Sequence, residues 1–240
     1  MSEPQIIIGG DIGRHNAAGA EARKRLKTGK QYRDLSTIIV VPTRDMIPAR
    51  AVENWMGLMT PMNNRVIRMF VAGMEVGDAY NTAVSTILAH PELSKWKYLL
   101  TLESDNLPPP DGLLKLYESI EQYAAVGGLY WTKGEGGQPM IYGDPRGILN
   151  FQPQVPRVDT VQECRGLGMG FTLFSLDLFR DAAVPQPWFR TVQEWDPVNG
   201  GRAYTQDLFF FENIAKLGYK VACDTRVKVG HLSVEDGVVW

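Results

Sequence analysis

The sequence predicts an α/β protein built around a mainly parallel sheet. Three observations carry that expectation: a β-branched run at Thr37-Ile38-Ile39-Val40-Val41, a second apolar run at 98–102 that halts at acids, and helical spacing between them. Strands that alternate with helices in this way read as β-α-β units joined by right-handed crossovers.

The first strand ends at Pro42-Thr43-Arg44-Asp45, where the chain enters a loop. A helix is expected over about 49–58, a strand over 66–71, a loop over 73–77 and a helix over 78–89. Ala79, Thr82/Ala83 and Thr86/Ile87 share one side of that second helix, and Pro91 closes it. The third strand, Tyr98-Leu99-Leu100-Thr101-Leu102, runs directly into Glu103-Ser104-Asp105-Asn106. Open α/β sheets take their ligands at the carboxyl ends of strands, so this cluster marks the candidate active-site edge. Pro108, Pro109 and Pro110 prevent the strand from continuing and steer the chain outward. Asp111 stands where it can cap a helix whose Leu113/Leu114, Leu116/Tyr117 and Ile120 keep a three-to-four spacing. A strand within 123–130 extends the sheet.

Residues 131–162 are irregular, rich in Gly and Pro with scattered aromatics, which reads as loops and hairpins over the sheet edge and a candidate lid or acceptor platform. Gly166-Leu167-Gly168-Met169-Gly170 then leads into a strand at 171–175, entered through glycines that let a ligand or another backbone come close. These glycines open a strand rather than a helix, so they do not form a dinucleotide fingerprint. Gln206-Asp207 precedes a helix over 208–217 closed by Gly218, and short strands at 220–223 and 226–230 bring the chain to His231.

Residues 1–35 read as an extension and 36–240 as the main domain. The extension offers a short strand and glycine turn at Ile6–Gly13, then a basic run of Arg23, Lys24, Arg25, Lys27, Lys30 and Arg33. That run is a solvated face or a contact for phosphates or an acidic partner. Hydrophobic residues at 44% and charged residues at 22% are ordinary for a globular chain. No apolar run approaches the roughly 20 residues of a membrane span, and Met1-Ser2-Glu3-Pro4 lacks a secretory pattern. Cys164 and Cys223, far apart, fit ordinary buried thiols in a reducing cytoplasm. A net charge of −2 gives no global case for nucleic acid. The basic run leaves a nucleic-acid partner open, and assembly into a homo-oligomer is open too.

With these pieces in order, the stretch from Thr37 to Ser233 resembles the GT-A glycosyltransferases, and most closely the inverting glycosyltransferase family 2. The resemblance rests on Pro42-Thr43-Arg44 after the first strand, Glu103-Ser104-Asp105 after the third, Gln206-Asp207 opening a helix that ends in Lys216-Leu217-Gly218-Tyr219, and Val229-Gly230-His231. It implies a GT-A (Rossmann-like) α/β/α sandwich with a mainly parallel central sheet. It also implies a metal-dependent hexosyltransferase that moves a sugar from a nucleotide diphosphate sugar to the hydroxyl of an unknown acceptor. Asp105 would then ligate Mn²⁺ or Mg²⁺, since carboxylate oxygens suit hard cations and the metal offsets charge on the departing diphosphate. His231 would be a further ligand, and Glu103, where the family has Asp, would sit near the ribose or the metal's water shell. Pro42, Thr43, Arg44, Ser104, Asp78 and Asn81 would line the donor pocket, and Asp207 would be the general base. Gln206 stands where the family has Glu. Trp131, Trp188 and Trp195 are candidates for stacking on a sugar or base.

Each of these residues also has a plainer reading. Glu103 and Asp105 could form a solvated acidic turn, His231 could be hydrogen-bonded at a strand end as His15 and His90 are expected to be, and Asp207 could only complement a helix dipole. Rival functions are a retaining GT-A transferase, a nucleotidyltransferase and a non-catalytic nucleotide-sugar-binding module. The second lacks its glycine-rich basic loop after the first strand.

Overall fold

A computed structural model describes residues 33–62, 64–144, 151–197 and 200–240. Most of the expected extension, residues 1–32, therefore lies outside the described residues, as does its basic run up to Lys30. Of its described residues, Arg33 pairs with Glu121 at 2.8 Å and Leu35 is buried.

The chain begins with β1 (Thr37–Thr43), α1 (Ala49–Met56), β2 (Val66–Ala72), α2 (Val76–Ala89) and β3 (Tyr98–Leu102). A short β4 (Asn106–Leu107), α3 (Gly112–Ser119) and β5 (Ala125–Leu129) follow. The irregular stretch holds β6 (Ile141–Tyr142) and then β7 (Val161–Cys164), β8 (Gly166–Leu167), β9 (Phe171–Ser175) and α4 (Leu176–Arg180). The last elements are the hairpin β10 (Val192–Asp196) and β11 (Gly200–Tyr204), α5 (Gln206–Lys216), β12 (Val221–Lys228) and β13 (Gly230–His231).

The main sheet has the order β2-β1-β3-β9-β5-β12-β7. Strands β2, β1, β3, β5 and β12 share one direction, while β9 and the edge strand β7 run against it. Alternation along β1 explains the layers. Ile38 and Val40 enter one core with α2 and α5, whereas Ile39 and Val41 enter a second core with α1 and α3. Each fully buried Ile or Phe contributes about 2–3 kcal/mol by leaving water. In the first core Phe174, Phe179, Phe189 and Phe210 stack or meet edge-on, with centroids 4.7–6.1 Å apart.

Several local expectations change. The strands expected at 220–223 and 226–230 are one strand, β12, whose pairing with β5 is irregular between Asp224 and Lys228. At the start of the irregular stretch the buried Asp224 carboxylate accepts Arg226 Nε at 2.9 Å, and the strand continues through it. Helix α2 starts before Asp78 because the Glu75 carboxylate accepts the Gly77 and Asp78 N–H groups at 2.7 and 3.1 Å. Asp111 makes no side-chain cap; it pairs with Lys115 at 2.9 Å. Among the described residues, no helix is long and apolar enough to cross a membrane.

Candidate functional site

The acidic cluster closes into a turn at the carboxyl end of β3, with Asn106 N–H donating to the Glu103 carbonyl at 3.0 Å. β4 pairs antiparallel with β13, which sets His231 opposite Asn106. The Leu232 N–H donates to the Asp105 carbonyl at 2.7 Å, and His231 exchanges two backbone hydrogen bonds with Trp240 at 2.9 and 3.0 Å. Backbone pairing therefore brings together two residues 126 positions apart (231 − 105).

The side chains follow. His231 Nε2 lies 3.6 Å from Asp105 Oδ2. The other ring nitrogen, Nδ1, is 2.7 Å from the Trp131 carbonyl, and a carbonyl only accepts, so the Nδ1 proton is fixed there. The second nitrogen, Nε2, then faces a carboxylate oxygen. Two electron-pair donors aimed at each other are satisfied by a proton or a cation between them. A metal-binding imidazole orients itself in this way, by giving its other N–H to a carbonyl. The His231 ring also meets Tyr130 edge-on at 5.4 Å between centroids.

Lys133, which the sequence alone did not single out, places Nζ 2.5 Å from the same Asp105 Oδ2. Burial works against the Asp105 charge, but the bonds from His231 and Lys133 prevail and hold its pKa at about 2. Glu103 behaves oppositely. Desolvation, with the nearby charges of Asp105 and Asp207, raises its pKa to about 8. Its Oε1 accepts the buried Tyr80 hydroxyl at 3.5 Å. Ser104 is half-buried in the turn between the two acids.

Asp207 lies in the first turn of α5 and is buried. Desolvation raises its pKa, partly offset by bonds to Oδ1 from the Thr205 hydroxyl and from Leu208 N–H at 2.9 Å. Its charge helps to raise the pKa of Glu103, Tyr80 and Tyr130. Gln206 beside it is buried.

The remaining candidates divide. Pro42 and Thr43 end β1 paired with Val71 and Ala72 of β2, and Arg44 and Asp78 are exposed. Asn81 has both amide atoms committed to the Phe189 backbone, donating to its carbonyl at 2.7 Å and accepting its N–H at 3.0 Å. Trp188 is 3% exposed and packs edge-on against Phe179, so it cannot stack on a ligand. Trp195 is 78% exposed on β10. The glycines before β9 are used within the protein: a Cβ on Gly168 would overlap the Tyr130 hydroxyl, and one on Gly170 would meet Asn106 side-chain atoms at 2.6–2.7 Å. Lys133 had one local signal, a lone cation in Lys133-Gly134-Glu135-Gly136-Gly137 just past a strand end.

Among the described residues no three His, Cys, Asp or Glu side chains converge as a closed metal cage. One carboxylate and one oriented imidazole do fit a hard divalent ion of the kind that keeps waters and shares substrate phosphates.

The chain matches no protein-family model and no curated protein. Among solved structures it is similar to A197 from STIV, with a TM-score of 0.59 and 16% identity over 85% of this chain and 92% of that one. A second similarity is to S. aureus TarS 1-349 in complex with UDP-GlcNAc, with a TM-score of 0.42 and 12% identity over 78% of this chain and 55% of that one. At such identities likeness speaks of architecture alone. The strand order, the layers and the first of these similarities agree on a GT-A-like α/β/α fold with a large, mainly parallel central sheet.

Proposed function

We propose that this protein is a metal-dependent glycosyltransferase that moves a sugar from a nucleotide diphosphate sugar to an acceptor hydroxyl, with inversion at the anomeric carbon. The observation that carries the reading is the Asp105–His231 pair at a strand end, with the imidazole tautomer fixed so that Nε2 faces the carboxylate. Asp105 and His231 would hold Mn²⁺ or Mg²⁺. The bound ion supplies countercharge to a departing diphosphate.

The chain's own residues supply the rest. Pro42, Thr43 and Arg44 border the donor from β1, Ser104 and Asp78 lie on its approach, and Asn81 fixes the Phe189 backbone beside it. Glu103, which burial and the charges of Asp105 and Asp207 push up to about 8 in the metal-free protein, would sit near the ribose or the metal's water shell. Asp207 takes the acceptor proton. Its desolvated carboxyl is a stronger base than a solvated one, which suits that task. The transition state has oxocarbenium character, as in other glycosyl transfers.

Calorimetry with UDP, GDP and dTDP, each with and without Mn²⁺, tests the reading. We expect metal-dependent binding that Asp105→Asn abolishes; binding indifferent to both Mn²⁺ and Asp105→Asn would count against it. With a cognate donor, Asp207→Asn is expected to keep donor binding and lower transfer by about 10²–10⁴-fold. One observation favours a second reading: Asp207 Oδ1 is engaged by Leu208 N–H and Thr205, as in a helix-terminal acid without catalytic duty. In that case the transferase is a retaining one, and the anomeric configuration of the product, read by NMR, separates the two.

A further inference from the structure

Lys133 has no place in the chemistry above, yet it makes the shortest contact to its central carboxylate. It sits on a hairpin that continues from β5. Met140 N–H donates to the Tyr130 carbonyl at 2.8 Å, Trp131 bridges to Pro139, and Thr132 N–H donates to the Gln138 carbonyl at 2.9 Å. The tip then turns on Gly134 and Gly136, at φ 97° and 76°, with Gly137 N–H donating to the Gly134 carbonyl at 3.1 Å. Those φ values favour glycine.

The hairpin thus contributes two groups to the rim. Its base holds His231 through the Trp131 carbonyl at 2.7 Å, and its tip sets the Lys133 ammonium on Asp105 Oδ2 at 2.5 Å. His231 Nε2 addresses that same oxygen from 3.6 Å. An ammonium on the oxygen that a divalent ion would ligate competes with that ion. Only the tip needs to release it, because the base is fastened by backbone bonds. Both side chains remain partly exposed, at 35% for Lys133 and 25% for Asp105, so the pair is open to exchange. A lysine is a compact charge on a flexible stem, with three donors that serve a phosphate as readily as a carboxylate.

Resting on the glycosyltransferase reading of this site, we propose that Lys133 is a built-in counter-cation: it holds Asp105 while the donor is absent and passes to the donor diphosphate when a divalent ion takes Asp105. Free metal is then held weakly, and metal with diphosphate is held together. No covalent bond changes in this exchange. It is a swap of ion pairs at one carboxylate.

The test compares wild type, Lys133→Met and Lys133→Arg as full chains. Free Mn²⁺ is followed by electron paramagnetic resonance without nucleotide, and UDP, GDP and dTDP binding at saturating Mn²⁺ by calorimetry. Lys133→Met is expected to bind Mn²⁺ about tenfold tighter than wild type and the diphosphate about tenfold weaker, a change of one decade in each constant. Lys133→Arg should keep diphosphate binding, and Asp105→Asn should abolish Mn²⁺ uptake in either background. Unchanged or absent Mn²⁺ uptake in Lys133→Met overturns the counter-cation, and unchanged diphosphate affinity overturns the hand-over. If wild type takes up Mn²⁺ but none of UDP, GDP and dTDP, the transferase reading fails, and the Mn²⁺ comparison alone decides whether Lys133 guards Asp105.

Discussion

At the scale of single residues, the rim sorts three carboxyls by what surrounds them. Asp105 has Lys133 and His231 on Oδ2 and ionises easily, whereas Glu103 has Tyr80 and two acidic neighbours and does not. A stability consequence follows for the metal-free protein. The Glu103 pKa rises from 4.5 in the reference state to about 8 in the fold, so between those values the folded chain holds a proton that the unfolded chain has released. Stability from this group is therefore present below about pH 4.5, declines as pH rises, and is fully lost above about pH 8. The total is on the order of a few kcal/mol, reduced by the partial exposure of the side chain. Glu103→Gln is neutral throughout. Its urea midpoint in EDTA should therefore rise relative to wild type between pH 5 and pH 8, and parallel profiles would remove Glu103 as the source of the slope.

At the scale of elements, the glycines that open β9 let it pass close to the rim. Gly170 lies against the Asn106 carboxamide, and its N–H donates to the Tyr130 hydroxyl at 2.9 Å. Gly170→Ala should cost about 1–3 kcal/mol, because its methyl group enters a fully buried neighbour that has no open side toward which to move. The Asn106 side-chain nitrogen and oxygen are both buried, with no hydrogen-bond partner among the described residues. Asn106→Ala removes those atoms along with the overlap, so most of the Gly170→Ala cost should vanish in the double variant when urea melts are compared as a cycle. Additive costs would mean that the two residues do not press on each other. These glycines also show where sequence reading ends. Their number and place were legible before β9, and so was the need for close approach, but the atoms that approach come from Tyr130 and Asn106, which lie 40 and 64 positions away from Gly170 (170 − 130 and 170 − 106). The end of β3 was legible to the residue because apolar character stops at Glu103. The sequence divides this region into strands at 220–223 and 226–230, whereas one strand runs through Asp224, whose carboxylate accepts Arg226 Nε at 2.9 Å.

At the scale of the whole molecule, alternation in local sequence announced the layers but not the direction of β9, since a strand's orientation is decided by the path leading to it. The same division runs through the site. Asp105, Asp207 and His231 each occupy the end of a recognisable element, so their positions could be read one at a time; the Lys133 contact depends on a glycine hairpin folding over a different strand end. A rim assembled from β3, the hairpin after β5, α5 and β13 would couple ligand binding to the fold as a whole, because these elements pack on one continuous sheet and two shared cores. An ion that binds only when Asp105 and His231 are together must then raise the stability of the folded chain. Free Mn²⁺ at about one hundred times its dissociation constant should add about 2.7 kcal/mol. For a chain of this size each kcal/mol moves the melting temperature by about 2–4 °C, so a rise of roughly 5–10 °C is expected by circular dichroism. Asp105→Asn should melt at one temperature with or without Mn²⁺, and His231→Ala should retain only part of the rise. An undiminished rise in Asp105→Asn would move the ion away from this rim.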